Sequence, residues 1–314
     1  MAAWMRKKYP HLVQGAFSSS GPVQAQIDFF EYKEVMSRSI ERVGGDECAE
    51  IIGNAFTDME ILVEMNNTDR ITNAFMLCSD LEIPIDIPHF FYEVSDIVAG
   101  LVQSHRAGRI ERACEYILNE KYENAKDDIE AFGAWIVHNN AVHEESCLDF
   151  SYANNIIKYR DVEWGSEANQ QMRQWIYQTC AEFAWFQTSN SPNQIFGTTY
   201  GVDYFLRICN DLYDNSFSEE LITHNVRRTN YQYGAFRPEV TNVVFTNGDL
   251  DPWHPMSVLT DLNEHSPSII TPLAAHVADM GATSENDSNE MRATKLRIKE
   301  LVRKWVGILN YDEY

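Results

Sequence analysis

The chain has 314 residues, 44% of them hydrophobic, with 25 basic against 47 acidic side chains and a formal charge of -22. That excess of carboxylates argues against nucleic acid and anionic membrane surfaces as partners. No apolar run approaches the ~20 residues of a membrane span, and the length suits one large domain or two smaller ones.

In chain order, residues 1–9 read as a short amphipathic helix stopped by Pro10, which lacks an N–H and disfavours helix in the residue before it. Residues 12–17 read as a strand, left through Ser18-Ser19-Ser20-Gly21-Pro22. From Asp28 the periodicity turns helical: Phe29, Phe30, Tyr32, Val35, Met36 and Ile40 share one face, and Gly44-Gly45 ends that helix. Helical patterns follow over 47–65, 70–78, 90–104, 110–119 and 125–139, broken by Pro84 and Pro88, and 168–186 reads as one long apolar helix. The signal over 187–237 is mixed. Then come a strand at 243–246, a helix at 256–264, a strand at 268–271 and a C-terminal helix at 290–309. The pattern predicts an α/β fold: a large helical insertion between two pieces of a sheet.

The two late strands carry the chemistry. Val243-Val244-Phe245-Thr246 runs into Asn247-Gly248-Asp249-Leu250-Asp251-Pro252-Trp253, which sets a carboxylate at the strand's C-terminal end. The strand Ser268-Ile269-Ile270-Thr271 precedes Leu273-Ala274-Ala275-His276. Strand-then-Asp followed by strand-then-His is the second half of an α/β-hydrolase triad, whose nucleophile belongs in a Gly-x-Ser-x-Gly elbow. No such elbow occurs in the 314 residues. In this reading Asp251 is the acid and His276 the general base. Taken alone, Asp251 reads first as a turn-capping residue before Pro252, and His276 has the alternative reading of a surface loop histidine. Asp249, His254 and His265 are the near competitors.

His138 and His143-Glu144 do not have the H-E-x-x-H spacing, so no metal is assigned, and no motif calls for a cofactor. Cys48, Cys78, Cys114, Cys147, Cys180 and Cys209 form no C-x-x-C pair. From their count, six buried thiols and three disulfides are equally open. Sequons stand at Asn66 and Asn286, and residues 1–10 have no apolar signal-peptide core.

Four segments carry a resemblance: Ala2-Ala3-Trp4-Met5-Arg6-Lys7-Lys8-Tyr9-Pro10-His11-Leu12, Ser19-Ser20-Gly21-Pro22-Val23 with Ser37-Arg38-Ser39, Trp175-Ile176-Tyr177-Gln178-Thr179-Cys180-Ala181-Glu182-Phe183, and Asn247 to Trp253. By these the chain resembles the serine carboxypeptidase-like peptidase family S28, which includes lysosomal Pro-X carboxypeptidase, dipeptidyl peptidase II and thymus-specific serine protease, the last branch most of all. Ala275-His276-Val277-Ala278-Asp279-Met280 resembles the family's x-His-x-x-Asp-Met/Leu stretch. The resemblance implies an α/β-hydrolase core (1–27 and 187–314) with a helical cap (28–186), the catalytic pair Asp251 and His276, and disulfides Cys48–Cys114, Cys78–Cys147 and Cys180–Cys209.

It also implies a proline-directed exopeptidase acting on peptides without a cofactor, lysosomal or secreted, in a family where homodimers occur. Its nucleophile is then expected just ahead of Met1, and its signal peptide at the start of the missing N-terminal part. Trp253, beside the acid, would wall an apolar pocket for a proline ring, while Phe183, Trp185 and Phe186 read equally as part of that wall or as core packing. Glu182 would meet a substrate amino terminus or serve a structural pair. Rival readings are a non-catalytic homologue with a binding role and an α/β-hydrolase esterase.

Overall fold

The computed structural model describes residues 1–141, 146–166 and 172–308. In chain order its elements are α1 (Ala2–Lys8), β1 (Ala16–Ser19), β2 (Gln26–Asp28), α2 (Glu31–Gly44), α3 (Asp46–Glu64), α4 (Asp69–Ala74), α5 (Asp86–Gln103), α6 (Arg109–Glu123) and α7 (Asp128–Asn139). The second half holds α8 (Tyr152–Arg160), α9 (Met172–Gln178), β3 (Ala184–Phe186), α10 (Val202–Leu212), α11 (Glu219–Tyr233), β4 (Val243–Gly248), β5 (Ser268–Thr271) and α12 (Asn289–Trp305). Two compact units emerge. One comprises Met1–Ala25, Gln103–Arg106 and the residues from Val226 onward; the other comprises Gln26–Val102 and Ala107–Asn225.

The first unit is built on a parallel sheet in the order β1-β4-β5, with Phe17 opposite Val244 and Thr246 opposite Ile269. Central β4 is buried along its whole length, as a parallel strand covered on both faces must be. Ala3, Val23, Val240, Val243, Phe245 and Val258 form a core cluster there, and Trp4 stacks on Tyr233 with ring centroids 4.3 Å apart. Parallel pairing demands long crossovers. The whole second unit lies within the chain between β1 and β4.

The second unit is helical, with one small parallel pair, β2 with β3. Phe56 is its aromatic hub, with ring centroids 5.9 Å from Phe91, 5.8 Å from Phe132 and 5.4 Å from Phe196. Three disulfides close it: Cys48–Cys114 between α3 and α6, Cys78–Cys147, and Cys180–Cys209 onto α10. These are the pairings that the resemblance implies. The mixed α/β architecture with a large helical insertion is also as expected. Segment 187–225, grouped with the sheet in the sequence reading, lies in the helical unit.

Several local expectations are corrected. The first strand is Ala16–Ser19 rather than 12–17. Pro88 does not break a helix; it sits in the first turn of α5, where a missing N–H costs no helical bond. The long helix does not reach 186. After α9 the chain makes a π-helical turn, Thr179–Phe183, and then leaves the helix as β3, with Ala184 and Trp185 at positive φ. Each such kink costs on the order of 1 kcal/mol, offset by burial of Trp185 and Phe186.

No helix forms over 256–264. Instead Ser268 donates to the Val258 carbonyl at 2.9 Å, and Asp261 accepts from the Ser268 N–H at 2.8 Å, so side chains tie that segment to β5. The mixed stretch over 187–237 resolves into α10 and α11, and α8 is a helix that the sequence reading passed over.

Candidate active site

The site is built in the sheet-bearing unit, where β4 and β5 end. Apolar, β-branched Val243 to Thr246 fixes β4 as the buried central strand, and its last residue is Gly248. A Cβ at Gly248 would lie 2.0 Å from the Ala274 carbonyl oxygen and 2.4 Å from its carbon. Only glycine lets the loop after β5 cross the end of β4 this closely. That crossing brings His276 to Asp251.

Asp251 is fully buried, and His276 Nδ1 lies 3.0 Å from its Oδ2 and 3.1 Å from its Oδ1. Oδ1 also accepts the Trp253 N–H at 3.0 Å. A carboxylate against Nδ1 holds the proton on that nitrogen and leaves the lone pair on Nε2. Nε2 has no hydrogen-bond partner among the described residues, and the His276 side chain is 24% exposed. The arrangement can take a proton at Nε2 while the buried carboxylate stabilises the imidazolium.

The loop bearing His276 is pinned along its length. Asp249 Oδ1 accepts the Leu273 N–H at 2.6 Å, and Leu250 donates to the Ala274 carbonyl at 3.0 Å. The His276 N–H donates to the Gln103 carbonyl at 3.2 Å, and the Val277 N–H to Ser20 Oγ at 2.9 Å. Ser19 Oγ donates to Asp279. Leu273 and Val277 both adopt positive φ, kinks that these anchors hold in place on either side of the histidine.

The two near carboxylates therefore divide the work: Asp249 holds the loop's backbone and Asp251 meets the ring. Of the competing histidines, His254 Nδ1 faces the Asp251 carbonyl at 2.8 Å, and His265 pairs with neighbouring Glu264. Neither meets the Asp251 carboxylate.

Trp253 is buried beside the pair, its ring centroid 6.4 Å from that of His276, and its Nε1–H donates to Gln103 Oε1 at 2.8 Å. Glu182, Phe183, Trp185 and Phe186 belong to the other unit. There Phe183 stacks on Trp185 at 4.5 Å and Phe186 on Phe205 at 5.1 Å, while Glu182 is exposed on the π-helical turn.

Asn66 and Asn286 are both exposed. His138 stacks on Tyr116, and His143-Glu144 lies outside the described residues. Among the described helices none is long and apolar enough to cross a membrane. Gln103, Ser20 and Gly248 are the positioning residues that sequence reasoning missed. Gly248 alone left a signal, in a glycine placed between a buried strand and two acids.

Against known proteins, the family profile described as Serine carboxypeptidase S28 matches residues 1–298. The thymus-specific serine protease of Mus musculus is 29% identical over 98% of this chain and 62% of its own length. The human thymus-specific serine protease is 27% identical over 98% of this chain and 61% of its own. The bovine lysosomal Pro-X carboxypeptidase is 23% identical, again over 98% of this chain and 61% of its own. The chain thus spans about six-tenths of the length of the curated relatives it matches.

Proposed function

The chain belongs to the serine carboxypeptidase S28 family, and from that premise we propose that it carries the acid–base half of a serine peptidase, with Asp251 as the acid and His276 as the general base. The observation that carries this reading is the fully buried Asp251 carboxylate 3.0 Å from His276 Nδ1, with Nε2 left open. His276 takes the proton of the attacking serine through Nε2 and returns it to the leaving amine; Asp251 holds the tautomer. The 314 residues contain no Gly-x-Ser-x-Gly elbow, so the reading assigns the nucleophile to sequence outside them.

The substrates are peptides cleaved at a terminus next to proline. The Trp253 face beside the acid supports this, since a flat apolar wall suits a pyrrolidine ring. Three disulfides and exposed sequons at Asn66 and Asn286 support a secretory or lysosomal setting with glycans at those positions.

The test compares this chain with the same chain extended by the sequence its transcript encodes ahead of Met1. The reading expects fluorophosphonate labelling and hydrolysis of proline-containing peptides only in the extended protein. His276→Ala should lower its kcat by several orders of magnitude, and Asp251→Asn by roughly 10⁴-fold. Equal labelling of the 314-residue chain, an upstream sequence without an elbow, or turnover of esters but not peptides would overturn it. An upstream sequence without an elbow would instead favour a non-catalytic homologue.

A further inference from the structure

The helical unit contains a cavity of about 140 Å³, lined by residues of that unit. One wall is a polar stripe of α5: His89, Tyr92, Glu93 and Asp96 stand at the i, i+3, i+4, i+7 spacing that shares one helix face. The lining also includes Trp175 and Trp185, stacked with centroids 5.9 Å apart. Among the described residues that line it, two are carboxylates and none is a lysine or arginine.

The polar groups of this stripe differ in how they are satisfied. His89 is spoken for: Nδ1 meets the Tyr204 hydroxyl at 2.7 Å and Nε2 meets Asn155 Nδ2 at 3.2 Å. That pattern fixes a neutral imidazole with its proton on Nδ1, and burial lowers its pKa to about 4. Glu93 accepts one bond, from Asn155 Nδ2 at 3.1 Å. The Tyr92 hydroxyl and the Asp96 carboxylate have no hydrogen-bond or ion-pair partner among the described residues; Asp96 is exposed, so water meets its carboxylate, and Tyr92 and Glu93 are half-buried.

The nearby lysines bind elsewhere. Lys33 donates to Ser95 Oγ at 2.9 Å and lies over the rings of Tyr32, Phe196 and Tyr200; it acts on Asp96 only through space. Lys158 lies over the Tyr159 ring. Burial and the charge of Asp96 push the Glu93 carboxyl up to about 8, against the opposing pull of Lys158 and Asn155. A cation entering beside Glu93 would reverse that shift and expel a proton.

Carboxylates among aromatic faces are how proteins recognise organic cations, whose charge meets the acids and the ring quadrupoles while their apolar part covers the ring faces. The volume is below the ~300 Å³ at which drug-sized sites begin, so the occupant is small. We propose that this cavity binds a small organic cation, an amine or ammonium with a short apolar body, whose charge is taken by Glu93 and Asp96 and whose body lies against Trp175 and Trp185. The proposal needs no nucleophile and stands independently of the peptidase reading.

The test is calorimetric titration of the purified 314-residue chain with 2-phenylethylamine, and with 2-phenylethanol as its neutral counterpart. The amine should bind saturably, at least tenfold tighter than the alcohol, with proton release seen as a heat that depends on the buffer. Glu93→Gln and Asp96→Asn keep shape and remove charge; each should weaken the amine at least tenfold and leave the alcohol unchanged. Equal binding of amine and alcohol, no saturable binding to a chain shown to be folded by its unfolding transition, or unaltered amine affinity in the double variant would overturn the proposal. A dipeptide amide with a free amino group that displaces the amine, where its acetylated form does not, identifies the cation as a peptide terminus. If neither displaces it, the occupant is a free amine; if the acetylated form displaces it as well, charge is not what the cavity reads and the proposal fails.

Discussion

The indole Nε1–H of Trp253 donates to Gln103 Oε1 at 2.8 Å, while the main-chain carbonyl of the same glutamine accepts the His276 N–H at 3.2 Å. One residue at the end of α5 thus clasps both Trp253 and the backbone of His276. Gln103→Leu keeps the bulk and removes the side-chain acceptor. We expect the Trp253 indole ¹H–¹⁵N resonance to move, the His276 ring signals to move with it, and stability to fall by about 1–3 kcal/mol. Gln103→Glu keeps an acceptor and should recover most of the loss. An unmoved indole resonance in the leucine variant would show that the clasp is not formed in solution.

Gly248 should tolerate no side chain. Its Cβ would meet the Ala274 carbonyl at 2.0 Å, backbone that cannot rotate aside. Gly248→Ala is therefore expected to push the loop 273–276 off β4 and break the Asp251–His276 contact, with a loss of about 1–3 kcal/mol. The Nδ1–H proton signal of His276, shielded from exchange by Asp251, reports this directly: it should disappear in the variant, and its persistence would refute the crossing.

Gly44, the last residue of α2, abuts the Cys48–Cys114 bridge; an added Cβ would come within 2.2 Å of Cys114 Sγ. Gly44→Ala should destabilise by about 1–3 kcal/mol through overpacking. Replacing both cysteines by alanine removes a cross-link spanning 66 residues, worth about 4 kcal/mol in the chain-entropy picture. In that background Gly44→Ala should cost little more, because the sulfur it strikes is gone. Additive losses in the denaturation midpoints would place the clash elsewhere.

The stability of the chain should depend on pH through the α5 stripe. Burial, helped by the charge of Asp96, raises the Glu93 carboxyl from 4.5 to about 8, and burial lowers His89 from 6.5 to about 4. Folded Glu93 keeps a proton that the unfolded chain gives up, so its contribution is full below 4.5 and is lost as pH rises to about 8. His89 runs the other way, its contribution lost as pH falls from 6.5 to about 4. The two slopes oppose each other between 4.5 and 6.5, and from 6.5 to 8 Glu93 acts without that opposition. Over that upper window unfolding free energy should fall by at most about 1.4 kcal/mol per pH unit from this group. Glu93→Gln should flatten the decline in thermal scans; an unchanged slope would assign it to other groups.

Much of this molecule was written in short, local signals. An apolar β-branched run at 243–246, glycines at 44 and 45, and phenylalanines and valines at helical spacing need only their neighbours to act, so β4, α2 and most of the helical unit were legible. So was the meeting of Asp251 and His276, because two strands of one parallel sheet put their C-terminal ends side by side. Where local signal and distant contacts disagreed, the contacts won. Ala184 to Phe186 left a helix to bury two rings, and residues 256–264 gave up helix for bonds to β5.

The rest was decided only when the chain came together. Nothing near position 103 in sequence announces that Gln103 meets Trp253 and His276, and Gly248 is indispensable only because Ala274 passes over it. His89, Tyr92, Glu93 and Asp96 spell out one face of α5, but whether such a face meets water or encloses a cavity depends on Trp175 and Trp185, far along the chain. The sequence set which residue types were available at each spacing. Packing, which confines polar atoms and excludes water, decided which of them became chemistry.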